Sequence, residues 1–145
     1  MNTQPNPFVG AWSYRSLLND PDLETEFNDL QFGKGTIVIN DGPLTELTGS
    51  IGGPGWSLDL TGSRSYGNPM EVRFEGKGVV NGEEWIYSYL GYLVPNWPNG
   101  VDQVPAMVGS IVRVIPHSNG SGGTNPAGVV ASWYAVSDSK ILTPK

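Results

Sequence analysis

The stretch Met70-Glu-Val-Arg-Phe-Glu-Gly-Lys-Gly-Val80 alternates apolar and charged residues with a period of two. Met70, Val72 and Phe74 fall on one face, while Glu71, Arg73, Glu75 and Lys77 fall on the other. That is the pattern of a half-buried antiparallel strand. The mixed charges on its outer face suit pairing with neighbouring strands.

Working outward, the same period recurs. Residues 8–18 put Phe8, Trp12, Tyr14 and Ser16 on one face. Residues 30–39 are interrupted by Gly33 and Gly35, which predicts a bulge or a sharp bend. Asn40-Asp-Gly42 predicts a tight turn into residues 44–51, and Gly52-Gly-Pro-Gly55 a second one. Residues 56–66 place Trp56, Leu58, Leu60, Arg64 and Tyr66 on one face. Asn81-Gly82 is a hairpin signal. Residues 84–94 then carry Trp85, Tyr87 and Tyr89 on one face and Ile86, Leu90 and Tyr92 on the other. Residues 107–115 and 127–136 read as apolar on both faces. If Met107, Ile111 and Ile115 point outward, they form a patch suited to pairing subunits.

These segments make eight strands. The one helix candidate is residues 20–28, with Asp20 placed to cap it and Pro21 at its first position; it is short and reads equally as a loop. Ser118-Asn-Gly-Ser-Gly-Gly-Thr124 reads as a flexible hairpin loop. The expected fold is therefore all-β: an eight-stranded antiparallel up-and-down barrel with one short helix at most. Closure removes unpaired sheet edges, and a barrel of this size is either filled or holds one small ligand. A two-sheet sandwich is the alternative. A single domain spanning 1–145 is expected, with 1–6 and 138–145 as loose tails.

Composition agrees. A chain of 145 residues can bury one sizeable core. Charged residues are only 15%, too few for a disordered chain, and the 20 glycines and 12 prolines suit many turns. The absence of cysteine excludes disulfides, thiolate metal sites and cysteine nucleophiles. A net charge of -6 argues against a nucleic-acid or membrane partner, both of which attract basic surfaces. No apolar run is long enough to span a bilayer. No signal peptide is visible, so a cytoplasmic location is expected.

Gly10-Ala-Trp12, Leu47-Thr-Gly49, the sequential hairpins and the aromatic strand interiors together resemble the avidin and streptavidin group within the lipocalin-like barrels. Residues 84–136 also resemble a set of bacterial proteins with an avidin-like barrel and no established activity. Gly91-Tyr-Leu-Val-Pro, Trp97-Pro-Asn-Gly, Pro105-Ala-Met-Val-Gly-Ser110 and Pro116-His-Ser118 carry that likeness. The resemblance implies a barrel with a ligand inside. It departs where biotin would be recognised: Tyr14 stands where the avidins have a polar asparagine, so biotin is not the expected ligand.

Several residues are candidates for chemistry, each with a plainer reading beside it. His117, the only histidine, is either a base or ligand contact at the barrel mouth or an ordinary loop residue. Asp102, between Val101 and Val104, is either a desolvated acid or a loop-bracing aspartate. Gln103 beside it is a candidate ligand contact, as is Trp97, and the two share the proline-stiffened crossing at 95–106 that is expected to close the barrel. Arg64, on a face of apolar residues, either meets a ligand anion or carries its head to water. Trp12, Tyr14, Trp56, Tyr66, Trp85, Tyr87 and Tyr89 are candidate pocket-lining residues, the tyrosines carrying more weight, with core filling as the alternative. The acidic run Asp20, Asp22, Glu24, Glu26 fails as a calcium loop, because Thr25 stands where glycine is required. No metal site and no cofactor are expected.

Three functions follow from this reading. The first is binding of a small, mostly apolar or aromatic ligand inside the barrel. The second is an isomerase or cyclase of a hydrophobic substrate on the same architecture. The third is a filled structural barrel that oligomerises through apolar strands, and a homo-oligomer suits all three.

Overall fold

A computed structural model describes residues 6–94 and 104–138. Its strands are β1 (Gly10–Leu18), β2 (Gln31–Asp41), β3 (Glu46–Gly53), β4 (Trp56–Ser65), β5 (Glu71–Val80), β6 (Glu83–Leu93), β7 (Ala106–Arg113) and β10 (Val130–Ser137). A two-stranded hairpin, β8 (His117–Ser118) and β9 (Thr124–Asn125), lies between β7 and β10. The eight long strands form a closed barrel in the order β1-β10-β7-β6-β5-β4-β3-β2. Every pairing is antiparallel, and Trp12 opposite Ser137 closes the ring. This is the up-and-down barrel read from the alternation.

Burial follows the period-two pattern. Val72 and Phe74 of β5, Leu58 and Leu60 of β4, and Trp12, Tyr14 and Ser16 of β1 are buried inside. The turn at Asn81–Gly82 has φ of 52° and 82°, the left-handed pair that a two-residue hairpin needs. Gly91 makes room for a larger neighbour: a Cβ there would lie 2.6 Å from the Trp133 ring.

In such a barrel, alternate connections fall at opposite ends. The turns after β2, β4 and β6 share one end with the start of β1 and the end of β10. Phe8 and Trp12 fill that end; both are buried, and the Trp12 indole N–H donates to the Phe8 carbonyl at 3.0 Å. The connections after β1, β3, β5 and β7 share the other end, where the interior is not filled.

Three expectations need correction. Residues 20–28 form no α-helix, and only a 3-10 turn at Phe27–Leu30 appears. Asp20 accepts the Asp22 amide at 2.9 Å and Asp22 the Glu24 amide at 3.0 Å, so side chains compete for the backbone. Leu23 and Phe27 are exposed, which leaves no apolar face to hold a helix. Second, β2 continues through Asn40 and Asp41, which pair with Thr48 and Leu47, so the turn falls later, with Leu44 at φ 56°. Third, Met107 and Ile111 are buried inside the barrel, and Val108 and Val114 face outward instead. The hairpin loop read at Ser118–Thr124 is there as the tip of the β8–β9 hairpin, organised by Asn119, whose Oδ1 accepts the Ser121 and Gly123 amides.

Candidate functional site

The unfilled end is built from local departures in the strands. Between β1 and β2 the register slips: Ser16 opposes Gly33, but Leu17 opposes Gln31. Phe32 is the extra residue, and such a bulge re-aims a side chain. Its ring turns inward and meets Tyr87 at 6.1 Å between centroids. Across the barrel, Trp56 packs where glycine leaves space; a Cβ on Gly53 would lie 2.9 Å from its indole nitrogen. β6 supplies Trp85, Tyr87 and Tyr89 from its inner face.

Together these side chains leave a cavity of about 170 Å³, lined by Tyr14, Phe32, Trp56, Leu58, Trp85, Tyr87, Tyr89 and Ile111. Six of the eight are aromatic, and none carries a charge.

Behind Tyr87 lies a buried polar cluster. Arg113, at the end of β7, is only 7% exposed and His117, at the start of β8, only 4%. The Arg113 Nε–H donates to the Tyr87 hydroxyl at 3.0 Å, and its Nη1 donates to the Pro126 carbonyl at 3.2 Å. The guanidinium also lies 5.0 Å from the Phe32 ring centroid. His117 Nε2 lies 2.7 Å from the Tyr87 oxygen, and Nδ1 lies 2.9 Å from the Ser118 carbonyl. A carbonyl only accepts, so Nδ1 carries the imidazole proton. With its proton on Nδ1, the neutral form of the ring accepts the Tyr87 O–H at Nε2. Trp85 stacks on the imidazole at 4.0 Å. The hairpin that carries His117 is tied down by Glu83, which accepts the Ser118 amide at 3.0 Å.

Electrostatics follow burial. Desolvation pushes the Tyr87 hydroxyl above its ordinary range, although Arg113 opposes the shift. Burial raises Tyr14 more strongly, against a weaker opposing effect of the Ser16 hydroxyl. It also holds Tyr89 well above the usual value, with Tyr14 and Tyr87 adding to the shift. All three hydroxyls are therefore neutral at ordinary pH. Tyr89 makes no hydrogen bond among the described residues.

The structure brings Tyr14, Tyr87 and Tyr89 to the cavity and His117 beside it. It does not bring Arg64 or Tyr66. Arg64 lies opposite Val72, near the filled end, with its guanidinium 4.9 Å from the Tyr66 ring centroid. Its Nε is buried without a hydrogen-bond partner among the described residues. Tyr66 is 70% exposed, because β4 ends at Ser65 and the inward alternation stops there. Trp97, Asp102 and Gln103 lie outside the described residues. The flanks of their segment are joined by the Val94 amide donating to Ala106 at 2.8 Å. Those flanks, at Val94 and Ala106, leave the barrel at the filled end, away from the cavity.

Sequence reasoning missed Phe32 and Arg113. Phe32 has the parity opposite to the buried Ile37 and Ile39, and reaches the interior only through the bulge. Arg113 was legible, since it shares the parity of Met107 and Ile111 on β7. Among the described residues, no group of three or more His, Cys, Asp or Glu side chains is placed to hold a metal ion. No helix among them is long and apolar enough to cross a membrane.

Comparison with protein families, curated proteins and solved structures returned no match. The eight-stranded antiparallel barrel is consistent with an avidin-like or calycin-like architecture.

Proposed function

We propose that this protein binds a small, mostly apolar or aromatic molecule in the cavity at the end of the barrel where Trp56 and Trp85 lie. The carrying observation is the cavity of about 170 Å³ with its six aromatic walls. A space of about 150 Å³ is enough for one benzene ring in a protein interior. A flat one-ring ligand suits both the volume and the ring faces, and the tyrosine hydroxyls would orient it. This reading keeps the ligand-holding role that an avidin-like or lipocalin-like barrel implies. It does not extend to biotin, because Tyr14 fills part of the interior.

The test is a titration with phenol, indole and toluene, followed by thermal unfolding and by Trp56 and Trp85 fluorescence. Binding to the native state raises the melting temperature with ligand concentration. An Ile111→Phe variant, which fills the cavity, should abolish the shift while remaining folded. The absence of any shift in the parent protein would remove the reading.

One observation favours a second reading, a barrel enzyme acting on a hydrophobic substrate. Tyr87 lines the cavity, and its hydroxyl sits between the Arg113 guanidinium and the His117 imidazole. Such a hydroxyl can pass its proton to His117 while Arg113 stabilises the oxyanion. Self-association is a further part of the proposal. The outer groove at Leu17, Tyr92, Val108 and Tyr134 is apolar and suits a second copy of the chain. Light scattering on the parent and on Val108→Lys tests it; equal masses at the monomer value would exclude it.

A further inference from the structure

We propose that the cavity selects an anionic one-ring aromatic, of the benzoate or phenolate class, with Arg113 as its counter-charge. This inference rests on the ligand-binding reading above and deepens it. Arg113 is more than nine-tenths buried. The ion pairs among the described residues are Arg73–Glu71 and Lys77–Glu84, so no described carboxylate lies within salt-bridge reach of Arg113. A buried cation without a counter-ion is costly, and an arriving anion would remove that cost.

The surroundings restrict where that anion can sit. The one carboxylate in the cluster, Glu83, is engaged with the Ser118 amide. Two hydrogen bonds of the guanidinium go to neutral oxygens, on Tyr87 and Pro126, which leaves most of its five donors uncommitted in the described structure. It packs against Phe32 and Tyr87, and both line the cavity. The cavity wall itself carries no charge, and the guanidinium is the charge that packs against two of its aromatic rings. Low-dielectric walls strengthen the field of that charge relative to water.

Tyr89 supplies the second contact. It is 4% exposed, lines the cavity and makes no hydrogen bond among the described residues. The Tyr87 hydroxyl already directs its hydrogen to His117. Tyr89 is thus the free donor for a ligand oxygen, and Arg113 the charge that prefers that oxygen ionised.

The experiment is calorimetry with three one-ring probes, benzoate, its isostere benzamide, and benzylammonium, at pH 7 and constant ionic strength. Benzoate should bind tightest, by on the order of tenfold or more over benzamide, as a charge-assisted contact allows. Benzylammonium should bind weakest. Arg113→Gln should abolish the preference for benzoate and leave benzamide binding in place, and Arg113→Lys should keep part of it. Benzamide binding as well as benzoate in the parent protein would overturn the anion preference while leaving the cavity reading intact. If none of the three binds, both fail together. The comparison on the parent protein stands alone should Arg113→Gln not fold.

Discussion

The indole of Trp85 lies flat on the imidazole of His117, 4.0 Å away and 13° from parallel. That stack and the Tyr87 hydrogen bond hold the same side chain from two directions. They can be separated by substitution. His117→Phe keeps a ring on Trp85 but leaves the buried Tyr87 O–H without its acceptor, costing about 1–3 kcal/mol. His117→Ala loses the stack as well, for about 0.5–1.5 kcal/mol more beyond the lost area. Urea unfolding measures both, and a His117→Phe protein as stable as the parent would contradict the hydrogen bond.

The protonation pattern of His117 can be read directly. The Ser118 carbonyl fixes the proton on Nδ1, and Nε2 faces the Tyr87 hydroxyl. Nitrogen NMR of labelled neutral protein should show Nδ1 as the protonated nitrogen, the less common tautomer of a free imidazole. Finding the proton on Nε2 would reverse the direction of the Tyr87 bond.

Gly91 and Trp133 define a fit that a single methyl group would disturb. A Cβ at residue 91 would meet the buried indole at 2.6 and 2.8 Å. Gly91→Ala should therefore cost about 1–3 kcal/mol as overpacking. Trp133→Phe in the same protein should recover part of the loss, because the smaller ring withdraws from the contact. Denaturant midpoints of the four proteins in this cycle decide it; independent losses would rule out the clash.

Alkaline pH should act through the buried tyrosines. Burial raises Tyr14, Tyr87 and Tyr89 above the unfolded value, which lies near 10. The folded state therefore holds protons that the unfolded state releases. Their contribution to stability is complete below about pH 10 and falls as pH rises from there. Of the six tyrosines, at most three should show tyrosinate absorbance before the protein unfolds. Ionisation of all six in a still-folded protein would refute this.

Much of the fold was legible because period two states which residues face inward. Val72, Phe74, Leu58 and Tyr87 are all buried where the alternation put them. The failures came where alternation lapses. Tyr66 keeps the parity of its strand but lies past its last residue. Phe32 has the wrong parity and reaches the cavity through a bulge, which depends on how two strands pair and not on either sequence alone. Arg64 has the right parity, but parity does not say at which end of a barrel a residue lies. His117 was visible as the lone histidine. Its burial depends on a hairpin held by Asn119 and Glu83, a tertiary arrangement that Gly/Ser-rich composition hides.

The closure of β1 on β10 has a consequence for how the chain can be cut. Ser13 donates to Asp138 at 2.9 Å, so the first and last strands are neighbours at one rim. A closed sheet has no intrinsic beginning. Joining the chain across this seam and opening it at Asn81–Gly82 would give a circular permutant with the same eight pairings. Such rearrangements succeed at exposed turns. The new ends would lie beside Glu83 and the hairpin that bears His117, so the permutant would loosen one rim of the cavity while leaving the filled end sealed.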